Sequence, residues 1–220
     1  MMELPVHNPN RRRTRSPEEV RAMVIAIQTN LVRLADADAR RRGLAANEHE
    51  IQIPSPGALP QLDETLIDPN VIEGYADLEL GLRLHEVWGQ FCLMQWMFSV
   101  KDSGRGVSLA DLPAGAEMRC DAVLETKHAE LHAFLWRIRF EDRRRNDAAY
   151  RESASFTSDA EVAGTIPATA FSKPIDDCTD DEVLLAGCEH AGMLAALRWV
   201  MDPRRIWADP TIMEIGARPF

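Results

Sequence analysis

The sequence predicts an all-α fold: a bundle of about four main helices, with one or two short helices and long irregular connections. Three features carry that expectation. Apolar residues recur at helical spacing over long stretches. Two of those stretches open on Ser or Thr with Glu three residues later, the pattern in which side chains at both positions satisfy free N–H groups at a helix start. No set of short alternating segments bounded by turns is evident, and neither is an internal repeat or a heptad run.

The first helix begins in "SPEEVRAMVIAIQTNLVRLADADARRRG". Ser16 supplies the cap, Pro17 suits the first helical position, Glu19 completes the capping box and Gly43 ends the helix. Val20, Met23, Val24, Ile27, Leu31 and Leu34 follow the helical period, so one face is expected to be buried. Residues 44–67 contain "IQIPSPGALP" and are expected to form a long connection. A second helix is expected from Asp68 and Pro69 to about Val100. It is apolar on two faces, Leu80, Leu84, Val87, Phe91 and Phe98 on one and Leu78, Leu82, Trp88, Cys92 and Trp96 on the other, as suits a central helix. Glu79, Arg83 and Glu86 lie in its narrow polar stripe, spaced to pair with one another.

"KDSGRGVSLADLPAG" separates the second helix from a third at roughly 115–148. The following stretch to residue 178 is rich in Ser, Thr, Ala and Pro and is expected to be an irregular loop or lid. The last long helix starts at Thr179, capped with Glu182, and stops before Pro203. Trp207 and Ile212 in the tail are expected to pack back on the bundle. At 220 residues the chain fits one domain. A flexible tail at 1–15 and a single helical domain at 16–220 are expected.

The formal net charge is -10, a balance that repels phosphate backbones and anionic membranes and suits a basic protein partner. The longest apolar run, "FCLMQWMFSV", is about half of the roughly 20 residues that a bilayer span requires. Cys92, Cys120, Cys178 and Cys188 form no C-x-x-C, so a reduced, cytoplasmic setting is the expectation. Arginine triplets at 11–13, 40–42 and 143–145 invite a nucleic-acid reading, but the last two fall at helix C-termini, where exposed carbonyls favour cations. With an acidic total and no binding motif, nucleic acid is not the expected partner.

The stretch that points to chemistry is "DAVLETKHAELHAFLW". Asp121, Glu125, His128 and His132 line up along the third helix between two apolar stripes. Glu125 and His128 have the Glu-x-x-His spacing that carboxylate-bridged di-iron bundles use, because residues three apart project the same way. The resemblance is one of local spacing: no second Glu-x-x-His is present. His128 and His132 also have a zinc-compatible spacing, without the H-E-x-x-H of a metalloprotease. His85 and His190, on apolar faces of the second and last helices, complete the candidate metal set. The competing explanation is a polar helix edge, extended by Arg139 and Arg143.

P-loop, G-x-G-x-x-G and G-x-S-x-G motifs are missing. The leading expectation is therefore a non-catalytic helical binding protein with no cofactor: an adaptor, inhibitor or immunity-type partner of a basic surface. The alternative is a metal-dependent oxidase or hydrolase holding iron or zinc through Glu125, His128 and His132. A lesser possibility is a small-ligand sensor with a Trp-lined interior.

Overall fold

A computed structural model describes residues 14–44, 65–98, 118–205 and 207. Among them are the α-helices α1 (Pro17–Arg41), α2 (Pro69–Gly74), α3 (Asp77–Met97), α4 (Asp121–Asn146), α5 (Ala148–Arg151), α6 (Phe156–Thr165) and α7 (Asp180–Met201). A small antiparallel hairpin, β1 (Thr169–Ala170) with β2 (Lys173–Pro174), and a 3-10 turn at Ile175–Asp177 precede α7. The all-α bundle expected from the sequence is present, built on α1, α3, α4 and α7. Most of the expected N-terminal tail, "IQIPSPGALP", the glycine-rich turn region and Ile212 lie outside the described residues.

Both capping boxes form, Ser16 with Glu19 on α1 and Thr179 with Glu182 on α7. Gly43 follows α1 at a φ of 66°, a conformation that costs a residue without a Cβ little. The expected helix from residue 68 to about 100 is instead two. Asp68 caps α2, Gly74 ends it, and extended backbone at Tyr75 and Ala76 redirects the chain before α3. Ile72 can thereby be buried against the core. Only one of the two apolar faces expected on α3 is fully covered, since Leu78 and Trp88 are exposed.

The expected irregular loop before residue 178 is also corrected. Phe156, Ala160 and Ala163 recur at helical spacing on α6 and pack around Phe140, Tyr150 and Trp136. The Tyr150 hydroxyl donates to Asp159 at 2.6 Å, tying α5 to α6. Between β1 and β2, Phe171 and Ser172 both take positive φ, 51° and 64°, making a tight hairpin turn without glycine.

Contrary to the expectation of no internal repeat, α3 and α7 share a short repeated pattern. Asp77, Glu79, Leu82, Glu86, Gly89 and Trp96 of α3 recur at identical spacing in α7 as Asp180, Glu182, Leu185, Glu189, Gly192 and Trp199. The structure makes the equivalence physical. Gly89 packs on the Glu189 backbone and Gly192 on the Glu86 backbone, so each copy's Glu-x-x-Gly lies against the other's. A Cβ at either glycine would fall inside the opposing carbonyl group.

The helices that precede α3 and α7 match too. Arg41, at the end of α1, donates to the carbonyls of Ile72 and Glu73 and to the Asp77 carboxylate. Arg145, at the end of α4, donates to the carbonyls of Ile175 and Asp176 and to the Asp180 carboxylate. Each arginine thus locks the end of one helix to the segment that starts its partner. α1 runs antiparallel to α3, with Arg41 at Asp77 at one end and Arg21 over the Phe98 ring at the other. α4 is likewise antiparallel to α7, with Arg145 at Asp180 and His132 at Arg198, and α3 and α7 cross at the two glycines.

One core, from Val20 and Leu34 of α1 to Leu197 and Val200 of α7, spans all four long helices. Arg15, at the edge of the expected tail, belongs to this body. It lies 4.0 Å over the Trp199 ring and donates to the carbonyls of Trp199 and Arg205. Trp207 packs on Trp199 as expected, with ring centroids 5.4 Å apart.

Glu141 of α4 is wholly buried and accepts hydrogen bonds from Arg137, Arg144 and Arg145. Burial would raise its pKa, but the bonds from Arg144, Arg145 and Arg137 outweigh burial and hold the carboxyl down to about 2 from the ordinary 4.5. Arg137 and Arg145 pass the connection on to Asp176 and Asp180, fastening the segment before α7 to α4.

Two predictions follow from this packing. Gly89→Ala and Gly192→Ala must force the helices apart and should each lower unfolding free energy by about 3 kcal/mol. Gly81→Ala, where the added methyl meets open space, should raise it by about 0.5–1 kcal/mol through helix propensity. Urea unfolding of the three variants measures this contrast. Glu141 is ionised more readily in the folded than in the unfolded chain, so its stabilisation is complete above about pH 4.5 and is lost as pH falls toward 2. Glu141→Gln should lower stability at pH 7 by about 3–5 kcal/mol by leaving buried arginine charge uncompensated, and should flatten the acid limb of the stability profile.

Candidate functional site

Because α4 and α7 are antiparallel, the first turns of α4 stand beside the last turn of α7. Between them is a cleft of about 480 Å³. Asp121, Leu124, Glu125 and His128 line it from α4; Arg198, Met201, Asp202 and Arg205 line it from the end of α7 and the turn beyond; Thr14 closes the rim. Spacings of four and three residues bring Asp121, Glu125 and His128 to one side of the helix. Arg15 fixes the opposite wall. Its backbone N–H donates to the Val200 carbonyl and its guanidinium to that of Arg205, so the turn carrying Arg205 cannot swing away freely.

The charges in this cleft do not cancel by contact. Asp121 and Glu125 make no ion pair or hydrogen bond among the described residues, and neither does the Arg205 guanidinium. Asp202 and Arg198 have other partners: Asp202 accepts from Arg204, and Arg198 lies 2.7 Å from His132 Nε2. The Arg198 guanidinium donates, so the His132 ring is neutral with Nε2 as acceptor. His132 meets His128 edge to face, with centroids 4.5 Å apart. Burial, then His132, then Arg198 lower the His128 pKa below 6.5. Burial, then Arg198, then Arg139 lower that of His132. Both rings are therefore uncharged at pH 7.

The candidate residues from the sequence separate into three places. Asp121, Glu125 and His128 share the cleft, with His132 at its edge. His190 is on α7 and stacks on Phe134 at 3.8 Å, with Nδ1 2.9 Å from the Ala186 carbonyl. His85 is on α3, where Nδ1 lies 3.8 Å from the Glu189 carboxylate and the ring meets Phe171 edge-on. Among the described residues no three His, Cys, Asp or Glu side chains are grouped as a metal site would group them. The tryptophans are likewise dispersed, Trp199 and Trp207 in the main core, Trp136 beside α6 and Trp88 on the surface.

The repeat provides an internal control for the cleft. Aligned on Arg41 and Arg145, Val24 occupies the position of His128 and Arg21 that of Glu125; aligned on the tryptophans, Gln95 matches Arg198 and Phe98 matches Met201. In the first copy Val24 and Phe98 are buried and Arg21 lies over the Phe98 ring. In the second copy the same positions carry carboxylate, imidazole and guanidinium groups around open space. Sequence reasoning missed Arg198, Asp202, Arg205 and Thr14, and the mismatch between Gln95 and Arg198 in an otherwise repeated pattern was the available signal.

An NMR titration should place the pKa of both His128 and His132 below 6.5. Arg198→Gln removes a neighbouring cation, so it should move both values upward, that of His132 more. No protein family, curated protein or solved structure matches the chain, so the chemistry of the cleft alone carries its functional reading.

Proposed function

We propose that the chain is a non-catalytic binding protein, and that the cleft between α4 and α7 receives a basic side chain from a protein partner. The observation that carries this reading is the pair of unengaged carboxylates, Asp121 and Glu125, one helical turn apart in this cleft. A lysine or arginine entering there meets two acceptors without displacing an existing partner. Met201 offers apolar contact to its methylene stem. The formal charge of -10 favours encounter with a basic surface at low ionic strength.

A second reading draws on the same residues. Asp121, Glu125 and His128 line one cleft, so a metal-dependent oxidase or hydrolase using iron or zinc remains the rival proposal. Against it stand the Arg198 guanidinium at His132 and the lack of any three-residue ligand group among the described residues.

An acetylated and amidated tetralysine peptide tests the leading reading by calorimetry and by amide shifts at low salt. Binding should perturb the start of α4, and the double variant Asp121→Asn, Glu125→Gln should weaken it about tenfold or more. Equal binding by variant and wild type, or no binding at all, would overturn the proposal. Stoichiometric iron or zinc in the purified protein, lost in the same variant, would support the rival.

A further inference from the structure

The cleft carries unengaged charge of both signs, and this narrows the ligand further. On the α4 wall stand Asp121 and Glu125. On the opposite wall stands Arg205, whose backbone is fixed by Arg15 while its guanidinium has no partner among the described residues. Flexible opposite charges lining one cavity would ordinarily collapse into an ion pair. Here the helix and the pinned turn hold them apart across open space, which is a preorganised arrangement for a ligand bearing both complementary charges.

The volume, about 480 Å³, lies within the range of about 300–1,000 Å³ typical of small-ligand pockets and accommodates one or two amino-acid residues. Met201 adds an apolar contact to the lining, beside the His128 ring. A lone basic side chain would use one wall only. A single residue with a cationic side chain and a free carboxylate uses both.

We propose that the cleft recognises the C-terminal residue of a partner protein, a lysine or arginine, with its side chain between Asp121 and Glu125 and its terminal carboxylate on Arg205. This rests on the binding-protein reading above and assigns the part of the partner that docks. Bidentate contact between guanidinium and carboxylate gives the terminal group directional recognition that an amide cannot reproduce. Arg198, held on His132, adds positive potential on the same wall without being displaced.

The test compares two acetylated peptides, Gly-Ser-Gly-Ser-Lys with a free C-terminal carboxylate and the same peptide amidated, by calorimetry at low salt. The free acid should bind about tenfold or more tightly than the amide. Arg205→Gln should abolish that difference between acid and amide, because the variant removes the carboxylate's partner. Asp121→Asn with Glu125→Gln should weaken both peptides. Equal binding of acid and amide to wild type would overturn this inference yet leave the basic-partner reading standing. Failure of both lysine peptides to bind would overturn both. Free lysine binding as tightly as the peptide acid would overturn assignment to a protein terminus. Unfolding curves for Arg205→Gln should match wild type, since its exposed side chain supports no core contact.

Discussion

The structure depends on one close contact, the crossing of α3 and α7 at Gly89 and Gly192. Each glycine lies on the backbone of the other helix, so the separation is set by main chain rather than by side chains. Dispersion attraction falls steeply with distance, and helices this close gain contacts along their whole shared face. The flanking helices inherit their positions from it. α1 packs on α3 and α4 on α7, and each is locked at its C-terminus by an arginine that reaches the carbonyls before the next long helix. Both locks place cations where unsatisfied carbonyls favour them.

The two halves share this frame but not their surfaces. In the first copy Val24 and Phe98 pack into the core at the corresponding end. In the second, the corresponding end is polar and open. A stable scaffold built twice lets one copy retain packing while the other carries groups that packing alone would not select. The six positions repeated between α3 and α7 lie mostly at the crossing and at the helix start, where geometry is shared. Among the changed positions, Arg198 and Met201 line the cleft.

Much of the fold was legible because its signals are local. Ser16 with Glu19 and Thr179 with Glu182 gave the starts of α1 and α7, and the helical period of Val20 to Leu34 gave a buried face. The break at Gly74 was missed because a continuous apolar period masks a two-residue extended link. α6 was missed because alanines at 160 and 163 make a weak apolar signal until Phe140 and Tyr150 are placed beside them. At the site, Asp121, Glu125 and His128 share one helix and were visible as a stripe. Arg198 and Arg205 lie far along the chain, and only the antiparallel pairing of α4 with α7 brings them opposite. Arg83 and Glu86, spaced to pair in the polar stripe of α3, do pair, and their helix's crossing with α7 leaves Glu86 buried.

The turn at Phe171 and Ser172 gives the two arginine locks unequal duties. Left-handed backbone costs a residue with a Cβ roughly 1–2 kcal/mol, and here two such residues are adjacent. Arg41 has no comparable load, since the segment it holds is an ordinary capped helix. Arg145 holds the segment that follows this hairpin, through its bonds to the Ile175, Asp176 and Cys178 carbonyls. Glu141, by orienting that guanidinium, keeps those bonds in place. The second copy thus carries a strained hairpin at one end of α7 and the open cleft at the other.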